Sequence, residues 1–259
     1  MYPKEKMETS TFEVFLYDNY PEYDLVAHYH EFYEVHLVLS GEVSYWVDGN
    51  ICTMHPGNLI LLSPMQLHKP ALTDKYSCQR IVLWLDKHYL ENVLHQGALR
   101  HCFETTRLYN APQLIEAFQL LLKEYQSNDY AAPLYAECII CQILIELSRQ
   151  NQKTVLSENA KPMIAEIISY VGIHYTEDLS LNEIAQHFHI SKFYLSHLFK
   201  TETGTSLYHY ILIKRLSLAR QLIGSGHPVS QVYSLCGFKD YSVFFKAYKT
   251  EYKQAPSVK

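Results

Sequence analysis

The chain has 259 residues, of which 48% are hydrophobic and 19% are charged, with a formal net charge of −5. This balance excludes an intrinsically disordered chain, and the length allows two modest domains or one large domain. No apolar run is long enough to span a bilayer and no signal peptide is visible, so we expect a cytoplasmic protein without a membrane segment.

The charge is divided unevenly along the chain. Residues 1–159 contain 11 Lys and Arg and 20 Asp and Glu, which gives −9, whereas residues 160–259 contain 11 and 7, which gives +4. A basic C-terminal part beside an acidic N-terminal part indicates that only the C-terminal part meets a polyanion.

Residues 10 to about 86 predict short strands. The runs "VHLVLS", "EVSYWV", "ICTMH", "NLILLS" and "RIVLWL" are rich in β-branched and aromatic residues. Asp48-Gly49 lies between two of them and predicts a hairpin, because glycine accepts a positive φ. Many short strands at close spacing favour an antiparallel barrel or sandwich.

Residues from about 87 to 152 predict helices. The stretch "PQLIEAFQLLLKEYQ" places Leu114, Phe118 and Leu121 on one helical face. The next stretch, "LYAECIICQILIELSRQ", is apolar around most of its circumference, so it must be covered on more than one side, by the barrel, by a second subunit or by both. Its Cys138 and Cys141 have no second ligand pair, which favours buried thiols over a zinc or redox motif.

The polar stretch "NQKTVLSENAK", residues 151–161, predicts a linker. The sequence therefore predicts an α+β protein with two domains, at residues 1–152 and 153–259. The first combines an antiparallel β-barrel with helices, and the second is entirely helical.

The C-terminal domain contains two helix-turn-helix patterns. Ser180 and Glu183 form a capping-box pattern, Ser191 is a second N-cap candidate, and Gly204 is a C-cap candidate. "PVSQVYSLCGF" and "KDYSVFFKAYKTEY" repeat this plan after one long connecting helix, "SLYHYILIKRLSLARQLI".

These hundred residues resemble the DNA-binding domain of AraC/XylS-family transcriptional regulators, in order and in spacing. That match is far more specific than a lone helix-turn-helix pattern. Two positions depart from it, because Tyr233 stands where the family usually has Ala and Lys253 stands where Gly is usual. The matching residues are Leu181, Ile184, Ala185, Ser191, Leu195, "LFK" at 198–200, "TG" at 203–204, Tyr210, Arg215, Ala219, Leu222, Gly237, Phe238, Phe244, "YK" at 248–249 and Pro256.

The resemblance implies that the connecting helix holds two recognition helices on one side of the DNA, in successive major grooves about 34 Å apart. By family position, the residues that face base edges are Phe193, Ser196, His197, Tyr241, Ser242 and Lys246. Those expected to contact phosphates are Lys192, Lys200, Lys239 and Lys249. Because none of these predicted base-facing residues is Arg, we expect each domain to have modest DNA-sequence specificity, which dimerisation raises.

The stretch "HYHEFYEVHLVLSG" begins with two histidines two residues apart, followed by a carboxylate, and these are metal-ligand residue types. It resembles the first cupin motif, and "GNLILLSPMQLH" at 57–68 resembles the second. The resemblance implies a cupin-like barrel, which commonly precedes an AraC-type DNA-binding domain. In metal-binding cupins the matching positions, His28, His30, Glu34 and His68, would bind one ion of Fe, Mn, Ni or Zn.

Three interpretations of these residues compete. They could serve a metal-dependent cupin enzyme, they could hydrogen-bond a small-molecule effector such as a sugar, or they could be ordinary barrel packing. Fusion to a DNA reader favours the sensor, with no catalysis and no cofactor, and with Trp46 as a further ring beside the pocket. The predicted effector site consists of His28, His30, Glu34, Tyr45, His68 and Trp84.

The sequence as a whole predicts a DNA-binding transcription regulator. The resemblance makes an activator that contacts RNA polymerase the default, working as a homodimer through helices around 112–152. In a different class of interpretation, those helices bind a partner protein instead of the barrel binding a metabolite.

Overall fold

The computed structural model describes residues 7–18, 27–71, 78–92, 103, 107–150 and 162–257. The chain divides into two compact units, Met1–Ala160 and Lys161–Lys259. The predicted linker at 151–161 lies outside the described residues. In the parts that are described, no helix is long and apolar enough to cross a membrane.

The described strands all belong to the N-terminal unit and pair antiparallel. The strands are β1 Phe12–Asp18, β2 Tyr33–Ser40, β3 Val43–Val47, β4 Asn50–Met54, β5 Asn58–Leu62, β6 His68–Ala71, β7 Gln79–Leu85 and β8 Arg107–Asn110. One sheet has the order β1-β7-β2-β5-β8 and the other has the order β4-β3-β6. This arrangement confirms the predicted antiparallel fold.

The turn between β3 and β4 confirms the predicted hairpin. Asp48 has φ 47° and Gly49 has φ 91°, and the flanking Val47 and Asn50 pair across the ladder. Two consecutive positive φ values match the twist of the flanking strands, which explains the Asp-Gly sequence.

The side chains of β2 lie alternately on the two faces of the five-stranded sheet, because successive side chains of a strand point to opposite sides. Tyr33, Val35 and Leu37 lie in a buried cluster together with helical residues. Glu34, His36 and Val38 face the other way. Val38 packs with side chains of β3 and β4, so this second face looks into the space between the two sheets.

In its described part the N-terminal unit also contains three helices, α1 Lys87–Asn92, α2 Ile115–Tyr125 and α3 Ala132–Arg149, with a 3-10 turn at Pro112–Leu114. The buried residues of α2 and α3 share one cluster with the outer face of the five-stranded sheet. The prediction of helices alone after residue 86 was wrong at one place. Strand β8 pairs with β5, so the sheet continues beyond the predicted barrel segment.

The C-terminal unit consists of helices in its described part. They are α4 Pro162–His174, α5 Leu181–His187, α6 Lys192–Thr203, α7 Leu207–Gly224, α8 Val229–Leu235 and α9 Tyr241–Tyr252. The pairs α5–α6 and α8–α9 are the two helix-turn-helix units, and α7 connects them. Helix α7 contacts α6, α8 and α9, so one rigid element holds both units.

The predicted caps of the first unit are confirmed. The Ser180 hydroxyl accepts from the Glu183 N–H at 3.2 Å, and the Glu183 carboxylate accepts from the Ser180 N–H at 2.6 Å. The Ser191 hydroxyl caps α6, and Gly204 ends that helix in the left-handed conformation. Each contact satisfies a group that would otherwise lack a partner at a helix end.

The end of α4 is held by Arg215 of α7. Its Nε donates to the carbonyl of Tyr175 at 2.6 Å, and its Nη2 donates to the carbonyl of Glu177 at 2.8 Å. Gly237 comes close to the same segment, since a Cβ at that position would lie 2.7 Å from the Thr176 carbonyl oxygen. The segment that follows α4 is therefore held against α7 by Arg215. It also packs against the turn of the second helix-turn-helix unit at Gly237.

Candidate functional site

Helix α6 presents an exposed row of predicted base-facing residues. Phe193 is 83% exposed, and its ring is parallel to that of His197, with the centroids 6.3 Å apart. The two residues lie four apart, so they occupy one face of the helix. Lys192 and Lys200 are exposed, and Ser196 is half-buried.

Helix α9 repeats this arrangement. Tyr241, Ser242, Lys246 and Lys249 are all at least partly exposed, while Phe244 and Tyr248 of the same helix are buried. The buried residues anchor α9 in the C-terminal unit, and the four predicted contact residues face solvent.

Lys239, immediately before α9, differs from the other predicted phosphate contacts. Its Nζ lies 2.7 Å from a carboxylate oxygen of Asp178, and both side chains are mostly exposed. An exposed ion pair of this kind contributes at most about 1 kcal/mol, so a phosphate could displace the carboxylate.

The second candidate site is a buried polar cluster between the N-terminal sheets, centred on Glu34. One carboxylate oxygen, Oε1, accepts from the Trp84 indole N–H at 2.7 Å and lies 3.1 Å from His36 Nε2. The other, Oε2, lies 2.9 Å from His30 Nε2 and 3.2 Å from His68 Nε2. All five residues are buried.

Neighbouring strands bring these groups together. Glu34 on β2 stands directly opposite Trp84 on β7 in the ladder. His36 follows Glu34 on the same face of β2, and its Nδ1 lies 2.9 Å from the hydroxyl of Tyr45 on β3. The cluster therefore reaches from the five-stranded sheet to the three-stranded sheet.

The environment sets the charge of the cluster. Burial works to raise the pKa of Glu34, but its contacts with His36, His30 and His68 outweigh burial and hold the pKa well below its ordinary value. Burial lowers the pKa of His30 and His36 more than the facing Glu34 raises it. At neutral pH the cluster is a carboxylate beside neutral imidazoles at positions 30 and 36.

Two family models match this chain. The AraC-like ligand binding domain matches residues 13–144, and a helix-turn-helix domain matches residues 184–258. The first match alone spans just over half of the 259 residues. The chain belongs to the AraC family. It is a DNA-binding transcription regulator with an N-terminal ligand-binding domain, as the sequence predicted.

Relatives of this AraC-family regulator cover most of its length. It is 25% identical to the probable transcriptional regulator LumQ of Photobacterium leiognathi over 253 residues, 97% of each chain. It is 25% identical to the HTH-type transcriptional activator RhaS of Salmonella arizonae over 246 residues, 91% of this chain and 87% of that one. It is 20% identical to the melibiose operon regulatory protein of Escherichia coli over 250 residues, which covers 86% of this chain and 79% of that one.

Among solved structures, fatty-acid-bound ToxT from Vibrio cholerae is 16% identical to this AraC-family regulator. The match covers 97% of this chain and 95% of that one, with a TM-score of 0.42.

The structure brings most of the predicted effector residues of this AraC-family chain together. His30, Glu34, Tyr45, His68 and Trp84 all belong to the Glu34 cluster. His28 lies beside it, with its ring centroid 4.4 Å from that of His68. The two residues also exchange backbone hydrogen bonds of 2.9 Å and 3.0 Å as an isolated bridge.

Trp46 does not lie in the cluster, although it was predicted as a further ring. It follows Tyr45 on β3 and so points to the opposite face, where the Lys69 ammonium lies 5.8 Å from its ring centroid. His36 also belongs to the cluster, although the sequence pattern was not interpreted as placing it there. The signal was present in "EVH", because residues two apart on a strand share a face.

The donor set could hold a metal ion. Among the described residues, His30, Glu34 and His68 form the group whose ligand atoms all lie within 4.8 Å of one another. Two imidazoles and one carboxylate suit first-row transition metals. His28, which the cupin resemblance implies as a fourth ligand, is not in this group.

Proposed function

We propose that this AraC-family protein activates transcription when a small polar effector, of the sugar class, binds at the Glu34 cluster. The effector binds one arrangement of the protein better than another and so changes its affinity for the operator. The proposed contacts are His28, His30, Glu34, His36, Tyr45, His68 and Trp84.

The buried carboxylate of Glu34 carries this proposal. The strands around it are otherwise mostly Val, Leu and Ile, and burial of an ion costs several kcal/mol that neighbouring polar groups must offset. A few convergent polar groups in apolar surroundings are typical of a ligand site. Sugar hydroxyls both donate and accept, so they match a carboxylate, bare imidazole nitrogens and a tyrosine hydroxyl.

The names of two relatives support the activator and sugar parts of this proposal. RhaS is described as a transcriptional activator, and another relative is described as the melibiose operon regulatory protein. Because the described relatives are regulators, we propose that this chain catalyses no reaction and works in the cytoplasm, where its operator and RNA polymerase are present.

Thermal unfolding of the full chain with a panel of sugars tests the effector. A sugar at about 100 times its Kd stabilises the folded protein by about 2.7 kcal/mol, which raises Tm. We expect this shift to be lost in Glu34→Gln and reduced in His28→Ala. No shift with any sugar, together with a stable complex with another protein, would contradict the effector proposal and favour the partner-protein alternative.

We propose that the exposed residues of α6 and α9 read the operator. Base edges meet Phe193, Ser196, His197, Tyr241, Ser242 and Lys246. Phosphates meet Lys192, Lys200, Lys239 and Lys249. Support comes from their position on or beside the second helix of each unit, from which such motifs enter the major groove.

Operator binding by His197→Ala and Lys246→Ala tests this assignment. Each should cost about 1–3 kcal/mol if it reads a base edge. Exposed His209 of α7 and Lys123 of α2 provide matched controls, since His209→Ala and Lys123→Ala remove the same side chains elsewhere. If both recognition-helix variants bind the operator as tightly as the native protein does, the placement of these residues at base edges is wrong.

We propose that the regulator works as a homodimer through α3. Leu134 is 66% exposed and Ile145 is 38% exposed, and both line one groove on this helix. Glu137 lies in the second turn of α3 and Arg149 is its last residue, and both line this groove, so an antiparallel second copy would place each beside the opposite charge of the other copy. Sedimentation of Ile145→Glu should show a monomer, whereas Lys123→Glu should remain a dimer.

A further inference from the structure

The two recognition helices correspond to each other position by position. Helix α6 begins after the N-cap Ser191 and α9 begins after the N-cap Asp240, and each cap side chain accepts from the backbone N–H three residues later. Both helices contain 12 residues and end at a left-handed residue, which is Gly204 in α6 and Lys253 in α9. Both ends give the same offset of 49 residues, so each position of α9 has a defined counterpart in α6.

The side chains of the two helices are also buried in the same order. Over nine positions, starting from Lys192 in α6 and from Tyr241 in α9, the succession of exposed, half-buried and buried side chains is identical. The fully buried members are Leu195 and Phe199 in α6 and Phe244 and Tyr248 in α9. Both helices therefore turn the same face outward, and a position that faces a base edge in one has a counterpart that faces a base edge in the other.

This correspondence points to Phe245. Ser196, a proposed base contact, is the fifth residue of α6, and Phe245 is the fifth residue of α9. Both side chains are half-buried. Phe245 lies four residues after Tyr241, so the two share a face of the helix, and their ring centroids are 6.1 Å apart. Phe245 therefore lies beside another proposed base contact.

The phenyl ring of Phe245 differs chemically from the hydroxyl of Ser196. A phenyl ring carries no N–H or O–H group and no lone pair, so it forms no conventional hydrogen bond with a base edge. The apolar group that base pairs present in the major groove is the C5 methyl of thymine, which phenylalanine contacts, whereas a serine hydroxyl bonds either base type. A phenyl ring at this position therefore favours thymine.

We propose that Phe245 contacts a thymine methyl in the part of the operator that α9 reads, and so makes that part of the operator specific for thymine at one position. The matching Ser196 leaves the corresponding position under α6 less restricted. This inference rests on the proposed reading of the operator by α6 and α9. It adds a base contact to those that the AraC/XylS resemblance implies.

Replacement of thymine by deoxyuridine tests the contact, because it removes only the methyl group. The probe is a duplex that the full native chain selects from a randomised pool, with each thymine replaced in turn. One replacement should weaken binding by the native chain about fourfold, which is the value of one buried methyl-sized group. The same replacement should have no effect on binding by Phe245→Ala. Phe245→Leu keeps an apolar side chain and should keep the preference for thymine.

The ratio of the two affinities compares two duplexes on the same protein, so it does not depend on the folded fraction of a variant. Phe188→Ala is the matched control, because Phe188 is a half-buried phenylalanine outside both recognition helices. This control should keep the native ratio at every thymine of the duplex.

Two results would overturn the assignment. One is a selected duplex in which no replacement of thymine weakens binding by the native chain. The other is that every replacement that weakens binding by the native chain weakens binding by Phe245→Ala to the same extent. In both cases the selected duplex would still support the reading of an operator, whereas a native chain that selects no duplex would contradict that proposal as well.

Discussion

The two helix-turn-helix units follow one plan but meet the same backbone demands with different residues. In the first unit, α5 begins with a Ser180 capping box and the turn contains His189 with φ 55°. In the second unit, Pro228 precedes α8 as an N-cap residue without a side-chain hydrogen bond, and the turn contains Gly237 with φ 82°. Local geometry therefore requires a positive φ at both turns, and the neighbours decide which residue can supply it.

Both turns close with the same hydrogen bond. The Ile190 N–H donates to the Ala185 carbonyl, and the Phe238 N–H donates to the Tyr233 carbonyl, each at 3.0 Å. This bond satisfies a carbonyl at the helix end and places the intervening residue in the left-handed region. His189 is exposed, whereas Gly237 lies against the backbone of residue 176, so only the second turn excludes a side chain.

The largest expected effect is at Gly237. Gly237→Ala adds a Cβ 2.7 Å from the Thr176 carbonyl oxygen and forces a left-handed alanine. We expect a loss of about 3–4 kcal/mol in the free energy of unfolding, measured by urea with helical circular dichroism. His189→Ala should change that free energy little, because a side chain already stands there. A cost below about 1 kcal/mol for Gly237→Ala would contradict the close packing.

The end of the first recognition helix gives the next comparison. Gly204 ends α6 with φ 75°. Gly204→Ala should cost about 1–2 kcal/mol, because the left-handed conformation strains any residue with a Cβ. Gly226 also has a positive φ, but a Cβ added to it would meet nothing within 4 Å, so Gly226→Ala measures the conformational cost alone. The two variants should lose the same free energy of unfolding if backbone strain is the only cause.

Loss of the N-cap at the start of the first helix-turn-helix unit should lower the free energy of unfolding slightly less than Gly204→Ala does. Ser180→Ala removes the hydroxyl that accepts from the Glu183 N–H, and we expect a loss of about 1 kcal/mol by urea unfolding. Ser230→Ala in the first turn of α8 is the matched control, because the N-cap of that helix is Pro228 and makes no side-chain bond. Equal losses in the two variants would argue against the capping box.

The end of the second recognition helix should respond in the opposite direction. Lys253 ends α9 in the left-handed conformation with φ 57°, at the position where the family usually has Gly. Lys253→Gly should relieve this strain and stabilise the unit by roughly 0.5–1 kcal/mol. Lys249→Gly, inside the helix, should destabilise it by about 1 kcal/mol. A urea unfolding midpoint for Lys253→Gly below that of the native chain would contradict backbone strain at this position.

The last comparison concerns the cysteine that ends α8, whose ionisation has little effect on stability at neutral pH. Burial raises the pKa of Cys236 to about 12. In the unfolded chain the thiol loses its proton near its ordinary pKa of 9.0, so its contribution to stability falls as pH rises above that value. Cys138 is exposed, so the prediction that it is a buried thiol was wrong, and at pH 8 the native chain should alkylate there and not at Cys236, which mass spectrometry checks. Equal labelling would contradict the burial.

The sequence by itself determined the features that depend on residues close together in the chain. The cap of Ser180 on Glu183, the Asp48-Gly49 hairpin and the left-handed Gly204 each involve groups within a few positions, so local patterns predict them. The AraC resemblance then assigned the outward faces of α6 and α9, because recurring helix-turn-helix geometry fixes which positions face outward.

Only the tertiary structure decided the features that depend on distant residues. Strand β8 forms because β5 offers it a partner, His36 joins Glu34 because Tyr45 approaches from another sheet, and Gly237 is required because residue 176 packs against it. The spacing of His28 and His30 indicated two equivalent ligands. The fold separates them, because the bridge with residue 68 turns one ring onto His68 and leaves the other to face the carboxylate.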